Sequence, residues 1–186
     1  MSRVGVNQVK PQTILVTGAA RSGKSEWAEK LAHSTGLQVV YIATAKIDRT
    51  DQEWKERIEK HRQRRPAKWQ TIESVANVAQ IITAAPATKC LVVDSLGTWV
   101  AHFLEKSEED WLLEQQQFLE SIKNPAAQVI LVAEETGWGV IPAYELGRLF
   151  RDRLGSLVRQ VGSIARPVYL VTGGHVLNLS LLGQVL

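Results

Sequence analysis

Residues Gly18-Ala19-Ala20-Arg21-Ser22-Gly23-Lys24-Ser25 follow the pattern G-x-x-x-x-G-K-[ST] of the phosphate-binding P-loop. Each residue type has its own task. Gly18 and Gly23 are expected to take positive φ, so that successive N–H groups turn inward around an anion. Lys24 supplies a mobile charge for the outer phosphates of a nucleotide. Ser25 supplies a hydroxyl for a phosphate-bound Mg²⁺. A helix opening at this point aims its positive end at the same anion. The alternative is a glycine-rich turn that binds nothing. The flanks argue against it: Thr13–Thr17 is apolar and largely β-branched, a strand, and Glu26–Ala32 consists of good helix formers.

Four further stretches carry candidate chemistry. Leu91-Val92-Val93-Asp94 is an apolar strand ending in an acid, as a Walker B strand does, with Asp94 directed at Mg²⁺ through water. Between Asp51, a candidate N-cap, and Pro66, a breaker, Trp54, Ile58 and His61 share one helix face. Lys55, Arg57, Lys60, Arg62, Arg64 and Arg65 surround His61. Neighbouring cations disfavour an imidazolium, which leaves a neutral, attacking nitrogen at pH 7. The plainer reading is a histidine near a helix end amid a solvated basic face. Trp69-Gln70-Thr71-Ile72-Glu73 reads as a short strand whose terminal Glu73 is either a surface acid or a partner for a ribose or base. Glu134 through Pro142 is a loop with two glycines around Trp138, and Pro142 is expected to open a long helix reaching about Val161.

The elements that must position these groups alternate. Strand-like runs recur at Thr13–Thr17, Gln38–Ile42, Lys89–Val93, Gln128–Ala133 and Val168–Thr172, with helical segments between, including 96–104 and 108–122. Trp111, Leu112, Gln115, Phe118 and Leu119 are expected to form the buried stripe of the latter. This pattern predicts an α/β fold with a mainly parallel sheet covered by helices on both faces. Ligands of such sheets sit at the carboxyl ends of the strands, where every motif above falls. Residues 1–12 read as a loose extension and 13–186 as a single domain. With 186 residues, 45% of them hydrophobic, a full core is within reach. No apolar run is long enough to span a membrane. The one cysteine, Cys90, opens a buried strand and is expected to be an unreactive thiol, in keeping with a cytoplasmic protein. A net charge of +3, with no aromatic residue interleaved in the 55–65 basic cluster, speaks against a nucleic-acid binder.

Taken together, several motifs resemble one family. They are the P-loop with its internal Ala-Arg-Ser, Tyr41-Ile42-Ala43-Thr44, Arg57-Ile58-x-x-His61-Arg62 with Arg65-Pro66, Trp69-x-Thr71-x-Glu73, Val93-Asp94, Glu135-x-Gly137-Trp138-Gly139-x-x-Pro142, and Phe150-Arg151-Asp152. Their order and gaps resemble the bifunctional adenosylcobinamide kinase / adenosylcobinamide-phosphate guanylyltransferase of cobalamin biosynthesis, from about Thr13 to Thr172. The resemblance implies a RecA-like P-loop sheet, a trimer, and two reactions with ATP or GTP and Mg²⁺. In the first, adenosylcobinamide is phosphorylated. In the second, GMP passes from GTP to His61 and then to the cobinamide phosphate, with release of pyrophosphate. It further implies nucleotide contacts at Gly18–Ser25, Thr44, Ala45, Lys46, Arg62, Gln63, Arg64, Arg65, Glu73 and Asp94. Catalysis falls to His61 and Lys24, and Mg²⁺ binding to Ser25 and Asp94. A P-loop kinase for another small molecule, with His61 structural, remains the alternative. The chain departs from the family's usual pattern at Glu134, where Asn is common, at Gly97 and His102, and at Gly173-Gly174-His175, which lacks a proline.

Overall fold

The computed structural model describes residues 12–45 and 65–186. The expected helix from Asp51, with His61, Arg62, Gln63 and Arg64, lies outside the described residues, as does Lys46. Among the described residues, seven strands form one sheet in the order β3-β2-β4-β5-β1-β6-β7. They are β1 (Thr13–Gly18), β2 (Gln38–Ala43), β3 (Gln70–Glu73), β4 (Lys89–Asp94), β5 (Gln128–Glu134), β6 (Val168–Thr172) and β7 (His175–Asn178). All neighbours are parallel except β6 and β7, which pair antiparallel. Each of the five expected strand runs is present, several with one further residue at the carboxyl end.

Strand alternation sorts the core into two layers. Ile14, Val16, Val39, Tyr41, Cys90, Val92, Ile130 and Val132 pack against Ala28 and Ala32 of α1 (Lys24–Ser34). Leu15, Val40, Ile42, Leu91, Val93, Val129 and Leu131 face the other way. That face is covered by α2 (Val78–Ala84), α3 (Leu96–His102), α4 (Glu108–Lys123) and α5 (Glu145–Ile164). The central strands are buried on both faces, which is why they read as continuous apolar runs. A four-residue helix, α6 (Leu179–Leu182), follows β7. Among the described residues, no helix is long and apolar enough to cross a membrane.

Three expectations need correcting. The long helix begins at Glu145, not Pro142. The Arg148 guanidinium donates to the carbonyls of Pro142 and Ala143, and this holds them in a turn ahead of the helix. On α4 the buried stripe is Trp111, Gln115, Phe118 and Ile122, while Leu112 is half exposed. Leu112 lies about 100° around the helix from Trp111, off the core-facing side. Gln12 belongs with the sheet and not with a loose extension, since its carbonyl accepts from Val129 N at 3.0 Å and Gln128 Nε2 at 2.7 Å.

Candidate nucleotide site at the carboxyl edge of the sheet

The turn between β1 and α1 is built as its glycines require, with one exchange of roles. Gly23 takes φ +92° and caps α1, as expected. Gly18 does not take positive φ; Arg21 does, at +60°. Gly18 is needed for closeness instead. A Cβ there would lie 2.4 Å from the Val171 carbonyl oxygen and 2.7 Å from Ser22 Oγ. Strand β6 therefore presses its main chain against the loop, and only glycine fits between.

Lys24 is buried, and its ammonium donates to the Ala19 carbonyl at 3.3 Å, which holds it over the loop. Among the described residues no carboxylate forms an ion pair with it. Ser22 Oγ is buried there without a hydrogen-bond partner among those residues. A buried cation and an unsatisfied hydroxyl at a helix N-terminus suit an anionic ligand.

Asp94 ends β4, two strands from β1 with β5 between them. Its carboxylate accepts the Tyr41 hydroxyl at Oδ2, 2.5 Å away. Neither Asp94 Oδ1 nor Ser25 Oγ has a hydrogen-bond partner among the described residues. A free carboxylate oxygen and a hydroxyl, one at each wall, form the hard oxygen set that suits Mg²⁺ held through water and phosphate.

The ends of β2 and β4 are laced together. Thr44 Oγ1 accepts from Ser95 N at 2.8 Å and lies 2.6 Å from both the Ser95 carbonyl oxygen and Thr98 Oγ1. Thr44 N donates to the Asp94 carbonyl at 3.2 Å. Ser95 and Thr98 form the capping box that starts α3. The Thr44 hydroxyl is therefore committed to the protein, and Ala45 beside it is half buried. Arg65 stacks on the Tyr41 ring, its Cζ 3.4 Å from the centroid. Glu73 ends the edge strand β3, in register with Ala43. Four strand spacings separate it from Gly18, about 19 Å. A ligand touching both must span the mouth of the sheet.

Sequence reasoning named Tyr41, Glu134 and Gly97 but missed the bonds from Tyr41 to Asp94 and between Gly97 and Glu134. A tyrosine in an otherwise aliphatic buried strand was the available signal, because a buried phenol needs a partner. Its hydroxyl is held well above its usual pKa, first by burial and then by the charge of Asp94. Glu134 Oε2 accepts from Gly97 N at 2.9 Å, so this acid is turned onto the first turn of α3. Cys90 is buried and free, and burial pushes its thiol pKa up to about 12, which suits an inert core residue.

A parallel sheet with this loop at the end of β1, and with an acid two strands away, defines a P-loop nucleotide-binding protein of the α/β class. A solved protein from Pyrococcus horikoshii OT3 shares the fold at a TM-score of 0.55 and 10% identity, over 92% of this chain and 88% of the other. The chain belongs to the cobinamide kinase / cobinamide phosphate guanyltransferase family, whose model matches residues 14–179. The bifunctional adenosylcobalamin biosynthesis protein CobP of Pseudomonas aeruginosa is 40% identical over 162 residues, covering 86% of this chain and 92% of the relative. Its counterpart CobU of Escherichia coli is 36% identical over 176 residues, covering 87% and 96%. The chain is thus a member of a bifunctional enzyme family that combines a kinase with a guanylyltransferase.

Proposed function

We propose that the chain first phosphorylates the aminopropanol hydroxyl of adenosylcobinamide with a nucleoside triphosphate. It then transfers GMP from GTP, through His61, to the resulting phosphate. The observation that carries this reading is the buried Lys24, held over the loop by the Ala19 carbonyl with no carboxylate ion-paired to it among the described residues. The family combines both activities, which removes the ground for a kinase-only reading.

In the second reaction a neutral His61 nitrogen attacks the α-phosphorus of GTP. A P–N bond forms, the bond to the bridging oxygen breaks, and pyrophosphate leaves. A phosphate oxygen of the cobinamide phosphate then attacks the same phosphorus. The P–N bond breaks, adenosyl-GDP-cobinamide is released, and His61 returns to its starting state. Dividing the transfer in this way replaces one hard displacement with two easier ones. Lys24 and main-chain N–H groups of the Gly18–Ser25 turn would hold the phosphates in line and offset the charge that develops on them. Ser25 and Asp94 would hold Mg²⁺, which supplies charge neutralisation at the phosphate oxygens. Arg62, Gln63, Arg64 and Arg65 would line the path to His61, and Glu73 would take the far end of a nucleotide. Thr44, Ala45 and Lys46 would close the side of the site.

The family resemblance also supports a trimer, and the lone buried thiol fits a reducing cytoplasm. Residues 13–186 would act as one domain. Intact-protein mass after incubation with GTP and Mg²⁺ tests the covalent step. One added GMP is expected, stable to base and labile to acid, and absent from His61→Ala. An adduct that persists in His61→Ala, or no adduct in the unaltered protein, overturns the covalent route.

A further inference from the structure

Tyr41 touches two residues of the site proposed above, Asp94 and Arg65. Its side chain is 2% exposed within the α1-facing core, so the ring has no freedom to swing. Its hydroxyl donates to Asp94 Oδ2. Its ring face carries the Arg65 guanidinium at 3.4 Å. Arg65 is the last residue of the basic stretch that contains His61.

We infer that Tyr41 is a positioning residue. It fixes the direction of the Asp94 carboxylate through Oδ2, leaving Oδ1 available to a metal, and it holds the Arg65 guanidinium on its ring. This rests on the assignment of Asp94 to Mg²⁺ and of His61 to GMP transfer. The physical case is one of orientation. A carboxylate ending a strand can rotate about its side-chain bonds. A buried, immobile donor on one oxygen selects the rotamer and leaves the other oxygen's lone pairs for a metal-bound water. The same ring offers a flat apolar face to a planar cation, a favourable contact that holds the Arg65 guanidinium in place. Further along, Thr44 laces β2 to Ser95, so the frame around Asp94 is rigid even without the phenol. Tyr41 is therefore expected to set the direction of the carboxylate and not the fold of the strand end.

Two variants separate its two attachments. Tyr41→Phe removes the hydroxyl and keeps the ring; Tyr41→Leu removes both. Binding of a fluorescent GDP analogue to the full chain is measured in EDTA and across a Mg²⁺ titration. His61 guanylylation is followed in parallel by intact mass. For Tyr41→Phe, affinity in EDTA is expected to stay within about twofold of the unaltered chain, while the Mg²⁺ concentration for half-effect rises about tenfold, the scale for removing a group that orients a metal ligand. Tyr41→Leu is expected to show the same Mg²⁺ shift and, at saturating Mg²⁺, guanylylation slowed a further several-fold. An unchanged Mg²⁺ titration in Tyr41→Phe overturns the orienting role. Equal guanylylation rates for the two variants at saturating Mg²⁺ overturn the anchoring role. Asp94→Asn serves as the reference. If it too leaves the Mg²⁺ effect intact, the metal assignment falls and takes the orienting role with it. If it abolishes the effect while Tyr41→Phe does not, only the inference about Tyr41 is lost.

Discussion

Strand β1 and strand β4 each deliver one wall of the site, and they are made of different material. At the end of β1 the wall is main chain: a tight turn, a helix start capped by Gly23, and one lysine held over it by the Ala19 carbonyl. At the end of β4 it is a lattice of side chains, in which Tyr41, Thr44, Ser95 and Thr98 hold Asp94 and the first turn of α3. A wall of backbone depends on conformation and close approach, so glycines govern it. A wall of side chains depends on partners, and any single member can yield if its neighbours have room.

Lys24→Ala tests the first wall most severely. The Ala19 carbonyl that the ammonium bonds also accepts from Ser22 N within the loop, so the fold should persist by circular dichroism while both transfer reactions lose at least about 100-fold, the scale for removing a group that stabilises transition-state charge. Retention of either activity near its original rate would show that the loop's main chain alone suffices.

Gly18→Ala should act on the fold. The added methyl meets a backbone oxygen 2.4 Å away, and a main-chain carbonyl of a paired strand cannot step aside without moving β6. A loss of about 2 kcal/mol is expected in urea unfolding, within the usual range for overpacking. A variant of unaltered stability would mean that β6 yields easily, and the contrast between the walls would weaken.

How far the sequence disclosed these walls follows from the same difference. The P-loop was legible because eight consecutive residues carry its geometry. The central strands were legible because burial on both faces leaves no polar position to interrupt them. The lacing at β4 was not, because Tyr41 and Asp94 are 53 residues apart and Gly97 and Glu134 are 37 apart. No local pattern announces such a pair. Strand β7 escaped notice because none of its residues is buried and it shows no alternation to read. Even within the P-loop, the reason for Gly18 was hidden, since the closeness it permits depends on where β6 runs.

Gly97→Ala should have the smallest effect, and it makes the sharpest use of the comparison. Its added methyl would meet Glu134 Oε2 at 2.2 Å, a closer approach than the one at Gly18. What it meets, however, is the tip of a flexible side chain. Glu134 can rotate away at the cost of the hydrogen bond from Gly97 N, on the order of 1 kcal/mol. Alanine regains part of that, since glycine within a helix is worse by roughly 0.5–1 kcal/mol. The net change should therefore fall within about 0.5 kcal/mol in urea unfolding, despite the shorter contact. The shorter asparagine in Glu134→Asn removes the obstacle, so in that background Gly97→Ala should become stabilising by roughly 0.5–1 kcal/mol, the helix preference alone. The cycle should show coupling of at least about 0.5 kcal/mol, as touching residues do. Additivity would mean that Glu134 does not rest on α3.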